Sequence, residues 1–403
     1  MTVAQRKSKY SDVKANISAF LSEKKEEEFA LLTHYLQNST FYCNLFVNSP
    51  VSQYFYNTFP DNLGLTWDVP FPPPKNKKFT FIDLFCGIGG FRIAMQNIGG
   101  HCLFSSDIDP HVKIVYENNF GDLPFGDIKK IDKNIIPPHD ILVAGFPCQP
   151  FSISGLKKGF EDTRGTLIYQ VFEIIKLRSP KVVFLENVKH LIHHDKGRTL
   201  NIIIKNLEKL GYKVSHELLN AKDFGIPQNR ERIIIIGYKD KYFDFTRIKK
   251  KKDSVLKDFL ETSGNFEYVE PENYTLIKNP VQQESGLIFA GYRNKKIRKA
   301  GVRKGTEHLS RVHKQPNRIY SSEGTHPTLP SQEYSGRFFI LHNGIVRKLT
   351  VNECYRIMGF PDKFIKSCTQ SEQYKQIGNS VCIPMIQSTT TEILKQLFEE
   401  NNE

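Results

Sequence analysis

Tryptophan and methionine are scarce in this 403-residue chain, one and four respectively, and its seven cysteines include no Cys-x-x-Cys pair. An odd number of cysteines without paired spacing argues against a disulfide framework and a zinc centre, so no metal site is expected and a reducing compartment fits. Long apolar runs are missing too. None approaches the roughly eighteen residues of a membrane-spanning helix, and the first residues lack the apolar core of a signal peptide. No membrane partner is therefore expected, and a cytoplasmic location is. Acidic side chains are in deficit, 43 against 56 basic ones, giving a formal charge of +13 and a pI of about 9.2. Such a surplus on an otherwise ordinary composition points to a polyanionic partner, with a basic but uncommitted surface as the plainer alternative. With 39% hydrophobic residues the chain can bury a real core, and its length allows two or three domains.

Residues 79–240 repeat strand, turn and helix. Strands are predicted over 79–85, 101–105, 141–144, 182–185, near 214–219 and over 232–238, for which parallel α/β is the economical reading. The first strand runs into Gly87-Ile88-Gly89-Gly90-Phe91-Arg92. Its first two glycines open a dinucleotide fingerprint, but Arg92 stands where the third is needed, which weakens a nicotinamide site and leaves room for another nucleotide-like cofactor. The strand at 141–144 runs into Gly145-Phe146-Pro147-Cys148-Gln149-Pro150. The prolines bias Phe146 and Gln149 away from helical geometry, so the Cys148 thiol stands on a stiff turn. A lone cysteine there is ordinarily a small buried side chain. The next strand, however, ends in Glu186-Asn187, and the carboxyl ends of parallel strands line one crevice, which brings carboxylate and thiol to the same edge.

These three stretches, with Gln228-Asn229-Arg230-Glu231-Arg232 and Gln376-Ile377-Gly378-Asn379-Ser380-Val381, resemble in order and wording the DNA cytosine-5 methyltransferases of bacterial restriction-modification systems. The likeness covers about residues 79–240 and 316–397. It implies a doubly wound, mostly parallel α/β sheet of the S-adenosylmethionine-dependent methyltransferase type, S-adenosyl-L-methionine as cofactor and double-stranded DNA as substrate. It also implies Cys148 as the nucleophile, Glu186 at cytosine nitrogen 3, Asn187 holding the Cys148 loop, and Arg232 with Arg230 at the cytosine carbonyl and the local negative charge. Around the cofactor it places Phe85 against the adenine and Gly87, Gly89 and Gly90 where the backbone approaches closely. Asp107 falls at the ribose hydroxyls with Ile108 beside it, Asp127 at the adenine amino group with Ile128, and Pro147, Asn379 and Ser380 nearby. Family members usually carry Glu and an aromatic residue where this chain has Asp107 and Ile108. Taken singly, the two acids would read as helix caps or loop carboxylates.

Residues 1–78 precede this region. Apolar positions between 13 and 36 recur at roughly helical spacing and predict one or two amphipathic helices, while Pro70-Phe71-Pro72-Pro73-Pro74 marks a stiff linker. Such an N-terminal helical extension either touches DNA or a partner or, more plainly, packs on the rest of the chain. Glycines at 155, 159 and 165 among basic residues suggest a lid that closes over DNA, in which the resemblance picks out Ser154 and Arg164. Past residue 244 the alternation fails. Residues 245–345 read as a smaller, irregular, β-rich target-recognition domain, with Arg293, Arg298, Arg303 and Arg311 as candidates for guanine edges and, by resemblance, Thr328 for backbone phosphate. Residues 346–403 are expected to return to the first domain and to contain a helix over 384–399. The expected division is thus 1–78, 79–244, 245–345 and 346–403, in a monomer that can act beside a cognate restriction endonuclease without a stable complex. A tRNA cytosine-5 methyltransferase and a catalytically inactive DNA-binding regulator stay open as alternatives. Offering both nucleic acids separates the first, and the joint presence of Cys148, Glu186 and Arg232 weighs against the second.

Overall fold

The computed structural model describes residues 9, 11, 12, 15, 26–37, 67–147, 167–251, 253–295, 305–333 and 336–398. The chain divides into two compact units, one of Met1–Glu217 with Ile233–Asp244, the other of Leu218–Arg232 with Phe245–Glu403.

In the first unit, runs rich in Phe, Ile, Leu and Val form β1 (Phe79–Leu84), β2 (Gly100–Ser106), β3 (Ile141–Gly145) and β4 (Val182–Val188). These strands are buried along almost their whole length, as expected where both faces of a parallel sheet are covered. Further along come β5 (Lys213–Asn220), β6 (Gln228–Asn229) and β7 (Glu231–Tyr238). Six of these make one sheet in the order β2-β1-β3-β4-β7-β5. Strand β1 pairs in parallel with both β2 and β3, and β3 with β4. The strand order therefore reverses at β1/β3, the topological switch point outside which ligands bind in open α/β sheets. Register keeps the strand ends level there, Leu84 opposite both Ser106 and Ala144, and Gly145 opposite Glu186.

Helices α1 (Glu26–Gln37), α2 (Gly90–Gln96), α3 (Pro110–Phe120), α4 (Leu167–Arg178) and α5 (Arg198–Lys209) belong to this unit. Helix α3 shows why its ends fall where they do. Asp109 caps it by accepting from the His111 N–H, Pro110 occupies the first turn, and Gly121 closes it in the left-handed conformation. Helix α1 buries Ala30, Leu32 and Leu36 together with polar Thr33, His34 and Gln37. Each fully buried Leu, Ile, Val or Phe in this core contributes roughly 1.5–3 kcal/mol of transfer free energy.

The second unit contains a five-stranded sheet in the order β13-β12-β10-β9-β8, made of β8 (Tyr274–Leu276), β9 (Phe289–Arg293), β10 (Arg318–Ser321), β12 (Phe339–His342) and β13 (Ile345–Lys348). Strand β11 (His326–Pro327) pairs separately with β6. Helices α6 (Val351–Arg356), α7 (Gln370–Asn379) and α8 (Ile383–Phe398) complete it. Thr350 and Glu353 form a capping box on α6, and the Glu353 carboxylate is gripped at 2.6 and 2.8 Å by Arg347. Residues 346–403, expected from sequence to return to the first domain, group by contacts with 245–345. Polar bonds of that grouping include the Glu261 N–H donating to Glu353 Oε1 at 2.9 Å and Thr350 Oγ1 donating to Glu261 Oε2 at 2.6 Å. No helix among the described residues is long and apolar enough to cross a membrane.

Candidate active site

At the carboxyl end of β1 the backbone turns sharply through left-handed residues, Phe85 (φ 55°), Gly87 (φ 52°) and Gly89 (φ 83°). For a non-glycine residue that conformation costs about 1–3 kcal/mol and clusters at ligand sites, so half-buried Phe85 is held there by the fold. The glycines differ in purpose. A Cβ on Gly89 would stand 2.2 Å from the Phe120 ring, whereas one on Gly87 would meet nothing within 4 Å. Gly89 is therefore dictated by packing, while Gly87 leaves open space above the turn.

Asp107 follows β2 and faces this turn. Its Oδ2 accepts from the Gly87 N–H and its Oδ1 from the Asp109 N–H, both at 2.9 Å. Burial raises its pKa, while the two backbone N–H groups pull the other way. A carboxylate fixed by one bond per oxygen keeps a further lone pair on each, two acceptors at the spacing of a vicinal diol. Ile108 beside it is 72% exposed, an apolar plate at the rim. Asp127 is half-buried and accepts from the Lys129 N–H through Oδ1. The Ile128 side chain lies in the hydrophobic core, so a ligand would meet its backbone.

Glu186 and Asn187 immediately precede Val188, the last residue of β4, and are buried. A Cβ on Gly145 would lie 3.8 Å from Glu186 Oε2, so this carboxylate leans over the residue that opens the Cys148 loop. Asn187 Nδ2 donates to the Phe146 carbonyl at 2.8 Å, and its Oδ1 accepts from the Val188 N–H. The start of the loop is thereby tied to the neighbouring strand, and Pro147 is exposed. Cys148 lies outside the described residues, as do Ser154, Arg164, Arg298 and Arg303.

In the second unit, Arg230 is only 1% exposed. Its Nη2 donates to the Gly378 and Ser380 carbonyls at 3.0 and 2.6 Å, and its Nη1 to the Leu329 carbonyl at 3.4 Å. Three carbonyls from two backbone segments, Leu329 and Gly378–Ser380, thus occupy the guanidinium. Arg232 is buried and donates to the Glu231 carbonyl. Asn379, at the end of α7, is exposed, and Ser380 is buried. Thr328 Oγ1 donates to the Asn229 carbonyl at 2.7 Å, which leaves its oxygen able to accept. Arg293 lies with Cζ 4.4 Å from the centre of the Phe339 ring, and Arg311 is exposed on a short 3₁₀ turn. His313, one of the basic residues of that span, is buried against Tyr292 with ring centres 3.9 Å apart. Its pKa is lowered, first by burial, so it is a packing residue.

Two features have little trace in the sequence. Asp83 in β1 is 0% exposed, and neither oxygen has a hydrogen-bond partner among the described residues. Burial raises its pKa well above the usual carboxylate range, Arg92 opposing and Asp107 and Asp122 adding to the rise. The only signal was one acid inside an apolar strand. The second feature is Arg92, which is buried and donates through Nη1 to both oxygens of Asp122 at 2.5 and 2.7 Å. Partners thirty residues apart leave no local pattern to read.

A model of the C-5 cytosine-specific DNA methylases matches residues 79–395. The chain is 44% identical over 343 residues to the type II methyltransferase M.HpaII of Haemophilus parainfluenzae, spanning 81% of this chain and 92% of that one. It is 40% identical over 325 residues to the type II methyltransferase M.HhaI of Haemophilus parahaemolyticus, spanning 78% and 94%. Among solved structures, the Entamoeba histolytica methyltransferase EhMeth superposes with a TM-score of 0.57 at 20% identity, covering 80% of this chain and 99% of that one.

Proposed function

The chain belongs to the C-5 cytosine-specific DNA methylases, and from that premise we propose that it methylates carbon 5 of a flipped-out cytosine within one specific duplex DNA sequence, using S-adenosylmethionine and a covalent bond to Cys148. The observation that carries this reading is the level alignment of three strand ends at the sheet's switch point: the left-handed turn after β1, the loop that leads to Cys148 after β3, and Glu186-Asn187 closing β4.

The residues present suit the cofactor. The space over Gly87, the two preset acceptors of Asp107 and the exposed Ile108 fit a nucleoside with a ribose diol and a flat base. Phe85 and Asp127 would meet the base, with Pro147, Asn379 and Ser380 as further contacts. When bound, S-adenosylmethionine supplies an electrophilic methyl group.

Cytosine carbon 5 is too poor a nucleophile to accept that group unaided. The Cys148 thiolate adds to carbon 6, and Glu186 holds a proton at nitrogen 3, so electron density gathers at carbon 5. An ordinary cysteine titrates near ~8.5 and is only a few per cent thiolate at pH 7, so placing the thiol accurately matters. Asn187 does this by holding the Phe146 carbonyl. Arg232 binds the cytosine carbonyl, while Arg230, with its N–H groups on backbone carbonyls, positions that segment without touching substrate. After transfer the carbon 5 proton leaves to a base or water, and the thiolate is expelled. Because the target atom is unreachable inside a duplex, the nucleotide must be flipped out, with Ser154 and Arg164 on the closing lid. Sequence choice falls to residues 245–345, through Arg293, Arg298, Arg303 and Arg311, with Thr328 on phosphate. The biological setting is a restriction-modification system, with the protein acting as a monomer on host DNA in the cytoplasm.

Duplex DNA carrying 5-fluorocytosine at the target tests this mechanism. Fluorine cannot depart as the proton does, so a cofactor-dependent adduct should persist on the peptide containing Cys148 and be visible by mass spectrometry. Its absence on DNA that is otherwise a substrate would overturn the covalent mechanism.

A further inference from the structure

Helix α1 lies outside the stretch that matches the methylase family, yet three of its polar residues reach the framework of the cofactor site. Gln37 Oε1 accepts from Arg92 Nη2 at 2.8 Å, and its Nε2 donates to Asp122 Oδ1 at 2.7 Å and to the Phe120 carbonyl at 2.9 Å. Arg92 lies in the helix that the left-handed turn opens, and the Phe120 ring is what forbids a side chain at Gly89. His34 accepts at Nε2 from the Ser105 N–H at 3.2 Å. Ser105 is two residues before Asp107, and both are laced to Phe125: the Phe125 N–H donates to the Ser105 carbonyl and the Asp107 N–H to the Phe125 carbonyl. Thr33 Oγ1 accepts from the Leu123 N–H at 3.0 Å, on the segment that leads to Asp127.

Little more than one turn of a single helix thus touches the helix that the left-handed turn opens, the end of β2, and residues 120–123 on the way to Asp127, each adjoining candidate cofactor contacts. The apolar residues Ala30, Leu32 and Leu36 would suffice to dock a packing extension. They do not call for an amide that bridges both members of a buried ion pair, and such a bridge is worthless unless its geometry is held. We propose that α1 is a positioning element of the cofactor site, in which Thr33, His34 and Gln37 fix the relative placement of the left-handed turn, Asp107 and the Asp127 segment. The proposal rests on the methyltransferase reading above.

The test uses the full-length chain with Gln37→Leu, and with Leu207→Ala in α5 as a control at a buried apolar site of the same unit that takes part in none of these hydrogen bonds. S-adenosylmethionine binding is measured by calorimetry well below both melting points, and amide exchange is followed at Gly87 and Asp109, whose N–H groups hold Asp107. Gln37→Leu should raise Kd about tenfold, the scale of one lost hydrogen bond to a charged group, and speed exchange at both amides. Leu207→Ala should leave both readouts near wild type even where it lowers the melting point more. Unchanged affinity in Gln37→Leu, or equal losses in the two variants, would overturn the proposal. If Gln37→Leu does not fold, Gln37→Asn keeps the amide but falls one methylene short of the bridge, and the same outcomes apply. Failure of both to fold would reduce α1 to a structural role. A wild-type protein that binds no S-adenosylmethionine would instead sink the reading on which the proposal stands.

Discussion

The candidate catalytic and cofactor residues of the first unit and the candidate recognition residues of the second are built differently. Asp107 and Asn187 each use both polar ends of the side chain on backbone groups, at 2.8–2.9 Å, and both stand at the ends of buried strands. Arg311 projects from a three-residue 3₁₀ turn, and Arg293 rests on the face of Phe339. Chemistry needs atoms placed in advance, because a small misplacement erodes rate. Reading a DNA sequence tolerates long side chains that settle on contact with base edges.

The contrast is open to test, starting where the effect is largest. Cys148→Ala should cut methylation at least about a thousandfold, the usual scale for losing a nucleophile, with DNA and cofactor affinity intact. Single-turnover assays retaining more than that would show that the thiol is dispensable. Asp107→Ala should weaken S-adenosylmethionine binding about a hundredfold, since two hydrogen bonds to one charged group go together. Gel-shift affinity for DNA should not move, and a loss on the DNA side would erase the distinction drawn here.

On the recognition side, Arg311→Ala and Arg293→Ala should leave turnover on the original site nearly unchanged. If one reads a guanine, its loss removes ~1–3 kcal/mol of discrimination, visible by bisulfite sequencing of methylated plasmid. If it meets only phosphate, the salt slope of binding flattens by about one unit. Silence of both variants in both assays would move specificity to other residues.

The smallest effect concerns stability. The Asp83 carboxyl has an ordinary value of 3.8, and burial raises it well above that in the folded chain. Between those values the folded protein keeps a proton that the unfolded chain releases, so stability is highest below about pH 4 on this account and falls as pH climbs. Asp83→Asn removes the dependence. It should therefore melt higher than wild type at pH 8, with the advantage gone at pH 4. Equal differences at the two pH values would mean that Asp83 is satisfied in a way the free chain does not reveal.

Much of this was legible in advance where structure is local. Five of the six strands of the large sheet lie within one residue of their expected limits, because unbroken apolar runs bounded by Gly, Pro and Asp leave little choice, and β4 runs three residues longer. The glycine-rich turn after β1 and the pair Glu186-Asn187 near the end of β4 were readable for the same reason, though not the left-handed conformation of Phe85. The sequence does not show which way a side chain faces once a loop leaves its strand. Ile128 faces the core beside Asp127, and His313 stacks on Tyr292. Arg230 belongs with these, since a motif places the residue but cannot say that carbonyls 99 to 150 residues away will claim its N–H groups. The links from Thr33, His34 and Gln37 to residues 92, 105, 122 and 123 were invisible for the same reason of separation.

Arg230 also sets a clock during synthesis. Its acceptors at Leu329, Gly378 and Ser380 lie 99, 148 and 150 residues further along the chain. At about 5–20 residues per second the ribosome needs roughly 8–30 s to make the last of them. Until then the guanidinium lacks its full set of partners, and the segment Leu218–Arg232 must wait, although β1 to β4 are already made. Nascent chains halted near residue 300 should accordingly be cut by protease within 218–232 while 79–217 resists. Equal resistance of the two would mean that the early segment finds a temporary home. The order in which this protein leaves the ribosome is therefore not the order in which it can close, and its second unit is finished only after Ser380 has been added.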